Sequence, residues 1–205
     1  MIDKKAMYTL SYGLFVVTTK DGEKDNGCIV NTVSMLTDNP TRIVVFVNKS
    51  NYTEELIRKT GEFNVSVLTE QTPFEIFKRF GFASGRDTDK FEGFAYERSA
   101  NGLIYLPKYT NAVISAKVAG AYDYGTHTLF VAEVVSAKTL SSDPSVTYAY
   151  YQANIKPKAT AAPTPEKKEK WVCTVCGYEH EGELPDDFIC PWCKHPASDF
   201  EKVSP

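Results

Sequence analysis

Trp171-Val-Cys173-Thr-Val-Cys176-Gly-Tyr178 and, after a spacer, Phe188-Ile-Cys190-Pro-Trp-Cys193-Lys-His-Pro196 hold four of the five cysteines of the chain. Two C-x-x-C pairs with thirteen residues between them place four thiolates at the corners of a tetrahedron around one metal. One pair would be a thin signal; two at this spacing specify a metal site, and an all-sulfur tetrahedron selects zinc or iron. Zinc has no redox chemistry, whereas iron held by thiolates exchanges one electron. Spacing alone leaves a zinc ribbon and an iron centre both open. Trp171, Tyr178, Phe188, Trp192 and Phe200 crowd the same segment. So short a stretch cannot bury enough surface to fold unaided, so these rings read as packing around the metal. Metal binding contributes on the order of 10 kcal/mol to such a fold.

W-V-C-T-V-C-G-Y, a later proline and C-P-W-C together resemble rubredoxin, the one-iron electron-transfer module. The short spacer, with His180-Glu-Gly-Glu-Leu-Pro185, is similar to the compact form found at the end of rubrerythrins. The resemblance implies one iron held by Cys173, Cys176, Cys190 and Cys193. Gly177 keeps the family's glycine after the first pair, while Lys194 replaces it after the second. A positive φ at Lys194 would carry strain of about 1 kcal/mol.

Immediately upstream, Asn154 to Lys170 reads N-I-K-P-K-A-T-A-A-P-T-P-E-K-K-E-K. Alanine, proline and lysine build no core, and prolines favour an extended chain of about 3.1 Å per residue, a reach of roughly 50 Å. The expected division is a domain over 1–153, a flexible linker over 154–170 and the metal module over 171–205. The 205 residues are 42% apolar and 24% charged, as in ordinary soluble proteins. No apolar run approaches the roughly 20 residues of a membrane span, and Met1-Ile-Asp-Lys-Lys lacks a secretory h-region. Thiolates left free of disulfides imply a reducing compartment, so a cytoplasmic location is expected. A net charge of −3 argues against nucleic acid. The charge is uneven, −5 over 171–205 and +2 over 1–170. Solubility alone accounts for that; so does steering toward a basic redox partner.

The first domain reads mainly as strands. Leu14–Thr19, Cys28–Ser34, Arg42–Val47, Phe63–Leu68, Ala112–Ala121 and His127–Lys138 are β-branched or alternating, with Asp21-Gly22 and Tyr122–Gly125 as turns. Asn51 to Gly61 is a short helix, with Asn51 as N-cap, Glu54 three residues on and a closing glycine. Pro73 to Phe80 is a second, with proline in its first turn. Residues 81–110 read as a long loop, and structureless loops of that size are usually functional or disordered. Six or more strands with short helices predict a closed antiparallel barrel, a mainly β fold.

Asp25-Asn-Gly-Cys-Ile-Val-Asn-Thr-Val-Ser-Met-Leu-Thr-Asp-Asn-Pro40, then Val47-Asn-Lys-Ser-Asn-Tyr-Thr53, Phe80–Phe91 and Gly125–Val134, resemble in that order the flavin reductase family of FMN-binding split β-barrels. The whole architecture resembles the high-molecular-weight rubredoxin family. A phosphate wants amide, hydroxyl and ammonium donors near a helix N-terminus, which Asn48, Lys49, Ser50, Tyr52 and Thr53 surround. The family pattern places the isoalloxazine along Gly27, Cys28, Ile29, Val30, Asn31 and Thr32. Cys28 reads as packing beside the ring, since lone cysteines are usually small buried hydrophobes. His127 is the catalytic candidate, meeting flavin or nicotinamide, because family members carry a histidine in this motif. Ser84, Gly85, Arg86 and Lys90 lie on the loop that would close over cofactor or NAD(P)H. No G-x-G-x-x-G is present, so no Rossmann domain holds the nicotinamide.

The resemblance implies that NAD(P)H reduces FMN, that iron takes the electrons singly, and that the acceptor is a flavo-diiron protein reducing oxygen or nitric oxide. It also implies a homodimer. Two alternatives stand beside this: a reductase releasing reduced flavin with a zinc-ribbon tail, and a non-enzymatic FMN redox-sensing module. NADH against NADPH, and FMN against FAD, are not legible in the residues.

Overall fold

Asp21 and Lys24 face each other across a two-residue turn of Gly22 and Glu23, with Gly22 at φ 57°. Glycine at the first turn position gives the turn hand that suits twisted antiparallel strands. This hairpin starts the fold. The computed structural model describes residues 3–7, 9–157 and 170–203. The chain divides into two compact units, Met1–Ala153 and Asn154–Pro205. The centre of the expected linker, 158–169, lies outside the described residues.

In the first unit a short helix α1 (Lys4–Met7) precedes β1 (Phe15–Asp21), β2 (Lys24–Val30), β3 (Val33–Thr37) and β4 (Arg42–Asn48). Helix α2 (Tyr52–Thr60), β5 (Glu62–Leu68) and helix α3 (Phe74–Gly81) follow. A small hairpin of β6 (Glu97–Arg98) and β7 (Ile104–Tyr105) leads to the long strands β8 (Thr110–Asp123) and β9 (His127–Thr139). One turn of helix, α4 (Tyr148–Tyr150), runs into a wide turn over Tyr151–Ile155.

Seven strands pair antiparallel in the order β2-β1-β5-β8-β9-β4-β3. Consecutive β2 and β3 thus form the two ends of the ladder, and the chain crosses between them at Asn31-Thr32. This corrects the single strand expected over Cys28–Ser34. Ile29, Val30, Thr32 and Val33 are β-formers on both sides of Asn31, but the first half pairs with β1 and the second with β4. The barrel is split there rather than closed. Thr32 bridges the corner, its carbonyl accepting from Phe46 N at 3.2 Å and its hydroxyl donating to Phe46 O at 3.0 Å.

Strict alternation puts Ile43, Val45 and Val47 inside β4 and Arg42, Val44, Phe46 and Asn48 outside. Facing them in the core are Val17, Val30, Ile57, Phe63, Val65, Phe130 and Ala132. Two register shifts, at Ser115/Ala116 and Val118/Gly120, bend the long β8–β9 pair as bulges do. The expected loop over 81–110 is largely built. Phe80 packs against Phe91 and Phe94, Arg79 donates to the carbonyls of Asp89 and Glu92, and Leu103–Leu106 are buried.

The second unit carries a three-stranded sheet, β11-β10-β12, of β10 (Lys170–Cys173), β11 (Glu179–Glu181) and β12 (Phe200–Val203). Tyr178, Phe188, Trp192 and Phe200 touch ring to ring beside the cysteines. Among the described residues no helix is long and apolar enough to cross a membrane.

Candidate flavin site and metal centre

The four sulfurs of Cys173, Cys176, Cys190 and Cys193 all lie within 4.8 Å of one another. The two loops holding them repeat one conformation. Gly177 N donates to Cys173 O at 2.8 Å, and Lys194 N to Cys190 O at 2.9 Å. Cys173 N donates to Tyr178 O, and Cys190 N to His195 O, both at 2.8 Å. The residue after each second cysteine takes positive φ, 79° at Gly177 and 61° at Lys194. The strain expected at Lys194 is therefore present. Cys173, Cys176 and Cys190 are buried, and Cys193 is partly open.

Crowded thiols cannot ionise together without a cation. The Cys173 thiol is drawn down to about 2 by hydrogen bonds from Cys176 and then Cys193. Cys176 is in turn pushed up to about 12 by its hydrogen bond to Cys173. A dication or trication on four sulfurs relieves that conflict, and zinc or iron suits the donor set.

In the barrel the predicted residues fall into two adjoining groups. The first lies on the outer face. Asn48 and His127 are register partners at the ends of β4 and β9, two residues along from Phe46, which meets the Thr32 corner. The Thr126 carbonyl and hydroxyl hold this end together: Lys49 N donates to Thr126 O at 2.9 Å, and Thr126 Oγ1 lies 2.8 Å from His127 Nδ1. Burial lowers the His127 pKa, keeping the imidazole neutral near pH 7. Lys49 Nζ is engaged by Asp123 at 2.6 Å, and Asn48 Oδ1 accepts from Ser50 N at 2.9 Å.

The second group lies around β2. Cys28 and Val30 point into the core. Gly27 and Ile29 turn to α3, where a Cβ on Gly27 would sit 3.6 Å from Phe80. Burial pushes the Cys28 thiol up, so it stays protonated. Lys90, buried, donates to Gly27 O at 2.9 Å and to Phe80 O at 3.4 Å, which fastens the loop to β2. Gly85 passes so close that a Cβ there would lie 1.9 Å from Asn26 Oδ1. Ser84 Oγ accepts from Arg86 N, and the Arg86 guanidinium lies over Tyr52 at 4.4 Å and pairs with Glu55. Tyr52 Oη donates to Asp21 at 2.7 Å.

Two residues that sequence reasoning missed hold these groups in place. Asn26 donates from Nδ2 to Thr53 Oγ1 at 3.0 Å, while its buried Oδ1 has no hydrogen-bond partner. Glu54, buried, accepts from Thr128 and from Arg58 at 2.7 Å, tying α2 to β9 beside His127. The expected capping box at Asn51 and Glu54 is therefore not formed. Asn51 occupies the N-cap position with no side-chain hydrogen bond, and the Glu54 carboxylate, which would complete the box, is drawn inward to Arg58 and Thr128. An uncapped helix start leaves N–H groups for an anion, and the orphaned Asn26 oxygen wants a donor. Both fit a phosphate-bearing, amide-rich group such as a flavin nucleotide.

The flavin reductase like domain family matches residues 7–159. The chain belongs to the flavin reductase family. Residues 171–201 match the rubrerythrin, rubredoxin-like domain. A high molecular weight rubredoxin of Moorella thermoacetica is 35% identical over 98% of this chain and 100% of its own. A ferric-chelate reductase (NAD(P)H) of Archaeoglobus fulgidus is 40% identical over 80% of this chain and 96% of its own. Among solved structures, flavin reductase HpaC complexed with NADP+ superposes with a TM-score of 0.62, at 23% identity, over 71% of this chain and 90% of that one. The family's cofactor is a flavin, and the rubredoxin-like domain holds iron on its four cysteines. That decides between the two metals which the spacing left open.

Proposed function

We propose that this flavin reductase is an NAD(P)H-dependent electron-transfer flavoprotein that delivers electrons through its rubredoxin-like domain to a partner protein. The observation that carries this is the union in one chain of a flavin reductase barrel and a buried four-thiolate centre. When bound, FMN would take one hydride, which carries two electrons, and release them singly to iron, which accepts one at a time. The chain's own residues supply placement. The α2 N-terminus with Ser50, Tyr52 and Thr53 receives the phosphate, and Lys49 trades Asp123 for it. Gly27 to Thr32 lines the ring. Neutral His127 orients nicotinamide or flavin at the outer face, and Ser84, Gly85 and Lys90 keep the loop over the site.

The span 154–170 joins the barrel to the rubredoxin-like domain, whose net charge of −5 over 171–205 steers it to a basic face of a flavo-diiron oxygen or nitric oxide reductase. Met35, 61% exposed on the end strand β3, with Leu36 and Val135, is apolar surface suited to a homodimer in the cytoplasm. Anaerobic rapid mixing with NADH and with NADPH should bleach the flavin band before the ferric band. A ferric band untouched by either donor would overturn the reading, and a colourless tail that analyses as zinc would reduce it to a reductase releasing reduced flavin.

A further inference from the structure

Three of the four cysteines are buried and Cys193 is partly open, and a lysine from outside the two cysteine loops reaches the first loop. Lys156, in the same compact unit as the cysteines, donates from Nζ to Thr174 O at 2.9 Å. Thr174 lies inside the first loop, between Cys173 and Cys176. The Lys156 stem runs past the loop's end, with Cε 3.6 Å from the point where a Cβ on Gly177 would stand. The side chain is half-buried, which by itself lowers its pKa, and the nearby thiolates of Cys176, Cys173 and Cys193 act in the opposite direction. The second loop has Lys194 in the place of Gly177, with Cys193 partly open.

We propose that Lys156 is a built-in counter-charge of the iron–thiolate centre, which sets how readily that centre accepts an electron. This rests on the reading of the tail as an iron carrier. Adding an electron makes the four-sulfur site more negative by one unit. A fixed positive charge nearby stabilises that state more than the oxidised one, and half-burial keeps solvent from screening it. The hydrogen bond to Thr174 O fixes the distance, so Lys156 acts by position and touches neither donor nor acceptor. Cys193 is left as the open edge for electron exit.

The test is a visible redox titration of the full-length, iron-loaded protein against Lys156→Gln, Lys156→Met and Lys156→Arg, after iron content has been measured in each. Lys156→Gln and Lys156→Met should lower the equilibrium constant for iron reduction about tenfold, or about 59 mV for one electron. Lys156→Arg should stay near the wild type. Met keeps the stem against Gly177, so a loss in both neutral variants with rescue by Arg reports charge rather than packing. A potential unchanged in both neutral variants overturns the proposal, as does an equal shift in Lys156→Arg. Absence of iron from the wild type would instead overturn the reading beneath it.

Discussion

Two residues in matched positions show what one side chain does to a loop. Gly177 and Lys194 close the two cysteine loops with the same backbone bond and both at positive φ, yet only one is glycine. Lys194→Gly should therefore stabilise the iron-loaded tail by about 1 kcal/mol, read as a raised urea midpoint of the ferric band. Gly85→Ala should do the opposite to the barrel. Its Cβ would strike Asn26 Oδ1, and a loss of about 1–3 kcal/mol with weaker flavin binding is expected by denaturant titration and fluorescence. Cys28 gives a pH signature. Its folded thiol lies above the usual 9.0 because it is buried, so the folded state keeps a proton that the unfolded chain releases above about pH 9. The stabilisation is whole below that pH and is lost as pH climbs toward the folded value. Urea midpoints of the wild type should fall relative to Cys28→Ala between about pH 8 and 10, and parallel curves would refute the assignment.

At the scale of elements, periodicity was legible and partners were not. The alternation in β4, the Asp21-Gly22 turn and the closing Gly61 (φ 73°) of α2 are local signals, and each element stands where its residues predict. The break at Asn31-Thr32 left only the faint mark of one asparagine, because β-formers stand on both sides of it and only the choice of neighbour changes. The same holds for Glu54. Asn51 and Glu54 have the spacing of a capping box, but the carboxylate finds Thr128 on a strand 74 residues away. The candidate site was legible as a set of residues from its order along the chain. Its support by Asn26 and Glu54 was not, since a buried polar contact across the fold has no periodic trace. Glu54→Ala should cost about 1–3 kcal/mol by removing the buried carboxylate to which Arg58 and Thr128 both donate, and should raise the concentration of flavin needed for half-saturation.

For the molecule as a whole, the two units differ in what holds them. The barrel is held by a continuous apolar core, while the tail depends on four sulfurs and a handful of rings. Stripping iron under denaturing chelation should abolish the tail's near-ultraviolet aromatic signal and leave the barrel's thermal transition within a few degrees. A single shared transition, lost with the metal, would contradict two separately stabilised units. The split in the barrel has a topological consequence. A ladder whose first and last strands are sequence neighbours is a ribbon rolled until its ends meet, and those ends are tied by a two-residue thread. Severing the thread at Asn31-Thr32 interrupts no strand pairing. Fragments 1–31 and 32–205 should accordingly reassemble on mixing into a flavin-binding complex, which would make this seam a point at which the gene itself can be divided.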